Sequence, residues 1–318
     1  MEPVGTLLSL EASPVGRRRV GIALSAVLVG VGLFGTARDL LAYWRYRGFP
    51  PPITPSWVHE RGMLHVIRVP SPAIDRSQTV YVFLPPGYAA HPLRRYPVFY
   101  LLHGYPGEPV QFLNVGQVGV QENVLVALHR MAPTILVMPY GTTRFLTDKE
   151  WTDGVGRDNG WETFLVRDVV DTIDARYRTI PTGAGRAIGG LSEGGYAALN
   201  VGFHHPGEFG VVESWSGYTH PFDRESVFGD NSALIAYNSP ARSLSAVADQ
   251  LRLNHVFVWF YVGSDDSLLR QNQALAWELN CLHVWHRFFV VNGEHNWFLW
   301  RAYMPQALMA ASSHLAHG

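Results

Sequence analysis

The chain has 318 residues, of which 25 are basic and 26 acidic, so its formal net charge is −1. This balance, with no block of basic residues after the N-terminus, argues against a nucleic-acid-binding protein. Apolar residues make up 47% of the chain and charged residues 16%, which permits a large core and excludes a disordered chain, while the single cysteine excludes an intramolecular disulfide framework.

The N-terminal residues differ in kind from the rest. Residues 1–19 form a basic segment that ends in three arginines, and an uncharged run rich in Val, Leu, Ala and Gly follows over Val20–Phe34. Because a bilayer span needs roughly 20 residues, we extend the predicted hydrophobic helix to residues 20–44. It is interpreted as a transmembrane anchor or a signal-like segment. We favour an uncleaved anchor with the rest of the chain outside the cytoplasm; secretion after cleavage is the alternative.

Residues 45–60 predict a linker. Four prolines lie within residues 48–55, and prolines stiffen a connecting segment. The remaining residues, 61–318, predict one domain.

Strands and helices alternate through residues 61–318. Met63–Val69 and Thr79–Leu84 are separated by turn residues and predict an antiparallel pair that opens the sheet. The later strands are apolar runs of the kind that suits strands covered on both faces, namely Pro97–Leu102, Thr134–Met138, Ala184–Gly190, Val211–Trp215, His255–Gly263 and Arg287–Val291. The predicted helices are Gln117–Ala132, Trp161–Tyr177, Glu193–His204, Ser267–Leu282 and Asn296–Ala316.

This alternation predicts an α/β fold with a mostly parallel central sheet and helices on both faces, preceded by one N-terminal hydrophobic helix. Residues Tyr218–Asn254 fit the pattern poorly. They are interpreted as an excursion over the carboxyl edge of the sheet.

The motif G-x-S-x-G occurs at residues 190–194, with Ser192 at its centre. Its glycines let a strand turn sharply into a helix, so that the serine side chain is exposed in a strained turn. The motif alone is weakly specific, but a small-residue strand precedes it and an Ala-rich helix follows it. We therefore predict that Ser192 is a nucleophile; a glycine-rich turn without chemistry is the alternative.

A serine nucleophile needs a base within hydrogen-bond reach, and in folds of this type the partners follow in the order serine, acid, histidine. His295 lies in a polar turn between the last predicted strand and the last predicted helix, where such a base is expected. The acid should follow His255–Gly263, where Asp265 and Asp266 are adjacent. We favour Asp266, with the other carboxylate capping the helix that begins near Ser267.

Acyl transfer also needs N–H donors aimed at the developing oxyanion. One predicted donor is the backbone N–H of Glu193, directly after the nucleophile. The second is expected in the loop after residues 100–104, where Tyr105 is chosen because Pro106 has no N–H. His103 in the same loop is interpreted as a bracing residue.

Together these motifs resemble the esterase D / putative esterase family, which includes feruloyl esterase domains and antigen 85 type mycolyltransferases. The resemblance extends over residues 80–300 and rests on VFLPPGY at 82–88, LLHG at 101–104, WETFL at 161–165, GLSEGG at 190–195, GSDDSL at 263–268 and HNWFLW at 295–300. It implies an α/β-hydrolase fold and a serine carboxylic ester hydrolase. It also implies that Asp266 is the acid and that Tyr105 supplies the second oxyanion donor. Glu294 departs from the pattern, since many members carry glycine there.

Trp151 and Trp297 lie near these motifs in the sequence and are candidates for lining a substrate pocket; core packing is the alternative. The chain has neither spaced cysteines nor an H-E-x-x-H motif, so no metal and no cofactor are predicted. The predicted partner is an ester, with no nucleic acid. The predicted membrane location makes a lipid or cell-envelope glycolipid a candidate substrate.

Two other functions stay open at this point. An acyltransferase of the mycolyltransferase type would use the same residues to move an acyl group to a sugar or lipid hydroxyl. A noncatalytic cell-surface module on the same scaffold is disfavoured, because this chain has a candidate for each member of the triad.

Overall fold

The computed structural model describes residues 39–143, 146–222 and 224–318. The chain divides into two compact units, residues 1–50 and 51–318. In the first unit, residues 39–46 are helical. The predicted basic segment and most of the predicted hydrophobic helix lie outside the described residues, so both stay predictions. Among the residues that are described, no helix combines the length and the apolar character that a membrane crossing requires.

The second unit is built on a sheet of eight strands in the spatial order β1-β2-β4-β3-β5-β6-β7-β8. The strand β1 is antiparallel to β2, as the turn between the first two runs predicts. The strand β2 is also antiparallel to β4. The other neighbours are parallel. The strands are β1 Met63–Ser71, β2 Arg76–Leu84, β3 Val98–Leu102, β4 Ile135–Pro139, β5 Arg186–Leu191, β6 Val211–Trp215, β7 Phe257–Gly263 and β8 His286–Val291.

Helices connect the strands and cover both faces of the sheet. Trp161–Thr163 continues through a π-helical segment, Phe164–Val169, into the next helix, so the predicted helix over this region is one continuous element. The helices are α1 Val110–Asn114, α2 Val118–Ala127, α3 Trp161–Thr163, α4 Val170–Arg176, α5 Glu193–His204, α6 Arg224–Phe228, α7 Ser232–Tyr237, α8 Pro240–Leu253, α9 Leu269–Cys281 and α10 Trp297–His314.

The burial of the strands explains their continuous apolar sequences. Every residue of β3, β4, β5, β6 and β7 is buried. Successive side chains point to opposite faces of a sheet, so Tyr100 belongs to one buried cluster, which also contains Tyr196 of α5. Its neighbour Leu101 packs with Leu299 of α10 in the other. Burial on both faces therefore favours apolar side chains at most positions of these strands; Arg186, Glu213 and Ser214 are buried exceptions.

Three regions differ from the sequence-based prediction. Helix α1, Val110–Asn114, is not among the predicted helices. The helix predicted to reach Ala132 ends at Ala127, because the chain turns at His129, whose φ is +54°, before it enters β4. The region 218–254 contains the helices α6 to α8, which periodicity in the sequence did not reveal.

Candidate active site

Ser192 lies in the turn between β5 and α5, at the carboxyl edge of the sheet. Its φ of 56° and ψ of −120° are unusual for a residue with a side chain and indicate a strained backbone. The N–H of Ser192 donates to the carbonyl oxygen of Trp215 at 2.9 Å, which holds the turn against β6. The strained turn that the motif predicts is therefore present.

The flanking glycines are required by the close approach of β3. A Cβ atom at Gly194 would lie 1.9 Å from the carbonyl oxygen of Leu102, and one at Gly190 would lie 2.3 Å from the same atom. The backbone of a strand cannot move aside as a flexible side chain can. These positions therefore accept only glycine without displacing the strand.

We expect Gly194→Ala to lower the free energy of unfolding by about 1–3 kcal/mol, the usual cost of forcing extra atoms into a packed region. Gly207→Ala is the matched control, because a Cβ there would meet only the Asn254 side chain, at 3.8 Å. Urea unfolding followed by circular dichroism measures both. Equal stability of the two variants would contradict the close approach.

A continuous chain of hydrogen bonds joins Ser192, His295 and Asp266. The Nε2 atom of His295 lies 2.8 Å from Oγ of Ser192, and its Nδ1 lies 2.8 Å from Oδ2 of Asp266. His295 follows β8 and Asp266 follows β7, so the parallel strands bring residues that are far apart in sequence to one edge. The indole of Trp300 packs edge-on against the imidazole, with ring centroids 5.0 Å apart. The structure thus brings together the three residues predicted as a triad.

Asp266 is buried and engaged through both oxygens. Its Oδ1 accepts the N–H of Leu268 at 2.9 Å, while Oδ2 faces the imidazole. Burial raises the pKa of Asp266, but the hydrogen bonds from His295 and Leu268 and the charge of an imidazolium outweigh burial and lower it below its ordinary value. An ionised Asp266 accepts a hydrogen bond from the N–H at Nδ1 of His295. The unprotonated Nε2 is then free to accept the proton of the Ser192 hydroxyl.

Asp265 has a different environment. It is exposed and accepts a hydrogen bond from the Ser264 hydroxyl. The predicted cap is wrong: α9 begins at Leu269 without a side-chain cap, and the N–H of Leu268 is taken by Asp266 instead. A single carboxylate thus serves both the turn and the imidazole.

The residues predicted as oxyanion donors, Glu193 and Tyr105, both line the cavity around Ser192. Glu193 is the first residue of α5, where N–H groups lack partners within the helix. The loop that carries Tyr105 lies against the nucleophile, since a Cβ at Gly104 would be 3.0 Å from Cβ of Ser192. Two backbone segments therefore flank the serine.

His103 holds this loop in place through hydrogen bonds, as predicted from the sequence. Its Nε2 accepts the N–H of Gly141 at 3.1 Å, and its Nδ1 lies 3.0 Å from the carbonyl oxygen of Gly104. One nitrogen accepts and the other donates, which is the pattern of a neutral imidazole. Burial lowers the pKa of His103 from 6.5 to about 4, against the smaller raising effect of its hydrogen bond to Gly104.

This lowered pKa predicts acid sensitivity. The unfolded state binds a proton at this residue as the pH falls through 6.5, and the folded state binds it only near pH 4, so the stability due to the neutral ring is lost over that interval. The loss should approach about 3 kcal/mol. We expect His103→Asn to remove this pH slope from urea unfolding curves and His129→Asn, at an exposed histidine, to keep it. An unchanged slope in His103→Asn would contradict the assignment.

The cavity at the nucleophile has a volume of about 600 Å³. Besides the site residues already described, Tyr218, Phe222 and Leu268 give it an apolar lining. Sequence reasoning missed the first two, which lie in the region 218–254 where no motif singled them out. Within the described ranges, no cluster of three or more His, Cys, Asp or Glu side chains could hold a metal ion.

The tryptophans predicted to bind substrate lie elsewhere. Trp151 is 0% exposed, and its indole N–H donates to the carbonyl oxygen of His103 at 3.2 Å. Trp297 packs edge-on against Trp300 and Phe112, with ring centroids 5.6 and 6.3 Å apart. Neither residue lines the cavity. The prediction of substrate binding is therefore corrected to core packing for Trp151, while substrate binding by Trp297 stays a prediction.

Glu150 positions the missed aromatic residues. It is 0% exposed, and its two oxygens accept the hydroxyl of Tyr218 and the N–H of Phe222, each at 2.5 Å. The ring of Tyr218 also stacks on Tyr196 of α5, with centroids 4.6 Å apart. One wall of the cavity is thus fixed to the helix that follows the nucleophile.

Comparison with known proteins places these features in context. The family model described as Putative esterase matches residues 71–311. Esterase Rv1288 of Mycobacterium tuberculosis is 34% identical over 150 residues, which cover 47% of this chain and 31% of that protein. A xylanase/feruloyl esterase of Xylanibacter ruminicola is 31% identical over 153 residues, or 47% of this chain and 21% of that protein. The matched regions thus span a third or less of these curated relatives.

Solved structures identify the fold. A ferulic acid esterase superposes with a TM-score of 0.72 at 24% identity, covering 81% of this chain and 100% of that one. The MPT51 protein of Mycobacterium tuberculosis superposes with a TM-score of 0.61 at 19% identity, covering 79% of this chain and 99% of that one. These similarities confirm the predicted α/β-hydrolase fold.

Proposed function

The chain belongs to the Putative esterase family, and from this premise we propose that it is a serine carboxylic ester hydrolase. The hydrogen-bonded chain from Asp266 through His295 to Ser192 is the single observation that carries the proposal. It supplies a nucleophile, a base within reach and a carboxylate that orients the base.

In the proposed reaction, Oγ of Ser192 attacks the carbonyl carbon of the ester while Nε2 of His295 takes the hydroxyl proton. The tetrahedral intermediate collapses as His295 returns that proton to the departing alcohol oxygen, which leaves an acyl-enzyme on Ser192. Water then attacks the acyl carbon, again with His295 as base. The bond between that carbon and Oγ of Ser192 breaks, His295 returns the proton to Oγ, and the carboxylic acid is released. Asp266 keeps a proton on Nδ1 and stabilises the imidazolium formed in each half-reaction.

The oxyanion formed in both halves is proposed to accept hydrogen bonds from the N–H groups of Glu193 and Tyr105. Each preorganised donor of this kind typically contributes a few kcal/mol to transition-state stabilisation. The close approach of the Gly104 loop to Ser192 supports the role of Tyr105.

Hydrolysis is proposed in preference to acyl transfer because the site is accessible to water. The side chain of His295 is 33% exposed although the carboxylate behind it is 0% exposed. A transferase must keep water away from the acyl-enzyme, whereas this partly exposed imidazole is within reach of water. An intact hydrogen-bonded triad also disfavours the noncatalytic module.

A panel of p-nitrophenyl esters of graded acyl length tests the proposal, with and without glucose as an acceptor. Hydrolysis releases the free acid in proportion to p-nitrophenol even when glucose is present. An acylated sugar as the main product would instead establish transfer, and no turnover of any ester by the folded protein would refute the hydrolase. The membrane anchor, the extracytoplasmic location and a lipid or glycolipid substrate stay predictions.

A further inference from the structure

Glu193 has a second feature besides its backbone N–H. The residue lines the catalytic cavity directly after the nucleophile, yet it is only 4% exposed. Within the described part of the chain, its carboxyl group forms no hydrogen bond and no ion pair. Buried polar groups in folded proteins almost always have a hydrogen-bond partner. A carboxyl group left open towards a substrate cavity therefore points to a partner outside the protein.

The surroundings of Glu193 are acidic. Asp148 lines the same cavity, and the buried Glu150 accepts hydrogen bonds through both of its oxygens. Burial first, and then these two carboxyl groups, raise the pKa of Glu193 well above its ordinary value. The raised pKa favours the protonated form of this group, which has an O–H to donate.

We propose that Glu193 is a specificity-determining residue whose carboxyl group donates a hydrogen bond to an acceptor oxygen in one half of the ester substrate. This inference deepens the proposed ester hydrolase and rests on it. A site built to hydrogen-bond a substrate oxygen rejects the analogue that lacks it, because the buried group of the enzyme is then left unpaired.

The chemistry separates this role from a structural one. A residue needed only for folding would change the turnover of all esters in the same proportion. A donor to the substrate changes the ratio between two esters that differ in one oxygen. That ratio is therefore the informative measurement.

Two substrate pairs and three variants test the proposal. In the acyl pair, p-nitrophenyl 3-methoxypropanoate is compared with p-nitrophenyl pentanoate, in which a methylene replaces the ether oxygen. In the alcohol pair, the butanoate ester of tetrahydropyran-4-ol is compared with the butanoate ester of cyclohexanol. We expect the native protein to prefer the oxygen-containing member of one pair in kcat/KM. Glu193→Met should reduce that preference by about tenfold, and Glu193→Gln, which keeps an N–H donor, should retain most of it. Glu294→Gln removes an exposed carboxyl group beside His295 and is the matched control.

Equal preference ratios in the native protein and Glu193→Met, in both pairs, would overturn the inference while leaving the hydrolase intact. If the native protein shows no ester turnover that depends on Ser192, the proposed function is overturned, and the inference with it.

Discussion

Replacing Ser192 by alanine is expected to reduce kcat for ester hydrolysis by about a million-fold, the scale seen when a serine nucleophile is removed. The variant keeps the Cβ atom but loses the oxygen that lies 2.8 Å from Nε2 of His295. No acyl-enzyme can then form. Labelling by a fluorophosphonate probe, which reacts with the activated hydroxyl, should be abolished together with turnover.

The matched control is Ser264→Ala, which removes an exposed hydroxyl that bonds only to the neighbouring Asp265 among the described residues. It should keep turnover and probe labelling within about twofold of the native protein, as surface substitutions usually do. Near-ultraviolet circular dichroism and urea unfolding show whether both variants fold. A folded Ser192→Ala protein that retains native turnover would place the nucleophile elsewhere and end the proposal.

The sheet and the strained turn could be predicted because their signals are local. Strands such as β3 and β7 are buried on both faces, and this environment alone demands continuous apolar sequence. The glycines around Ser192 are likewise dictated by the backbone of one neighbouring strand. The order of the triad residues along the chain then follows from the order in which the parallel strands end.

The lining of the cavity could not be predicted in this way. Tyr218 and Phe222 are placed by Glu150, which precedes them by 68 and 72 residues, and no local pattern encodes such a pairing. Trp151 shows the converse, because it lies near the site in the sequence yet is fully buried. The open carboxyl group of Glu193 is also invisible in the sequence, since burial at that position depends on the folded loops around it.

The choice between Asp265 and Asp266 also depends on tertiary structure, because adjacent residues differ only in the direction that their side chains take. We expect Asp266→Asn to lower kcat by about ten-thousand-fold, the effect of replacing the acid of such a triad by its amide. The amide cannot hold a proton on Nδ1 as the carboxylate does, and the charge that stabilises the imidazolium is gone. The residues that line the cavity are unchanged in this variant, so KM should change far less than kcat.

Asp265→Asn provides the control for that substitution. It makes the same chemical change one residue away, at an exposed side chain whose partner is Ser264 rather than His295. Its kcat should stay within about threefold of the native value, since exposed groups outside the hydrogen-bonded chain contribute little. Steady-state kinetics on one p-nitrophenyl ester compares the two. Because His295 can contact only one carboxylate, a large loss in Asp265→Asn with native activity in Asp266→Asn would transfer the acid to the neighbouring residue and refute the geometry from which the mechanism is argued.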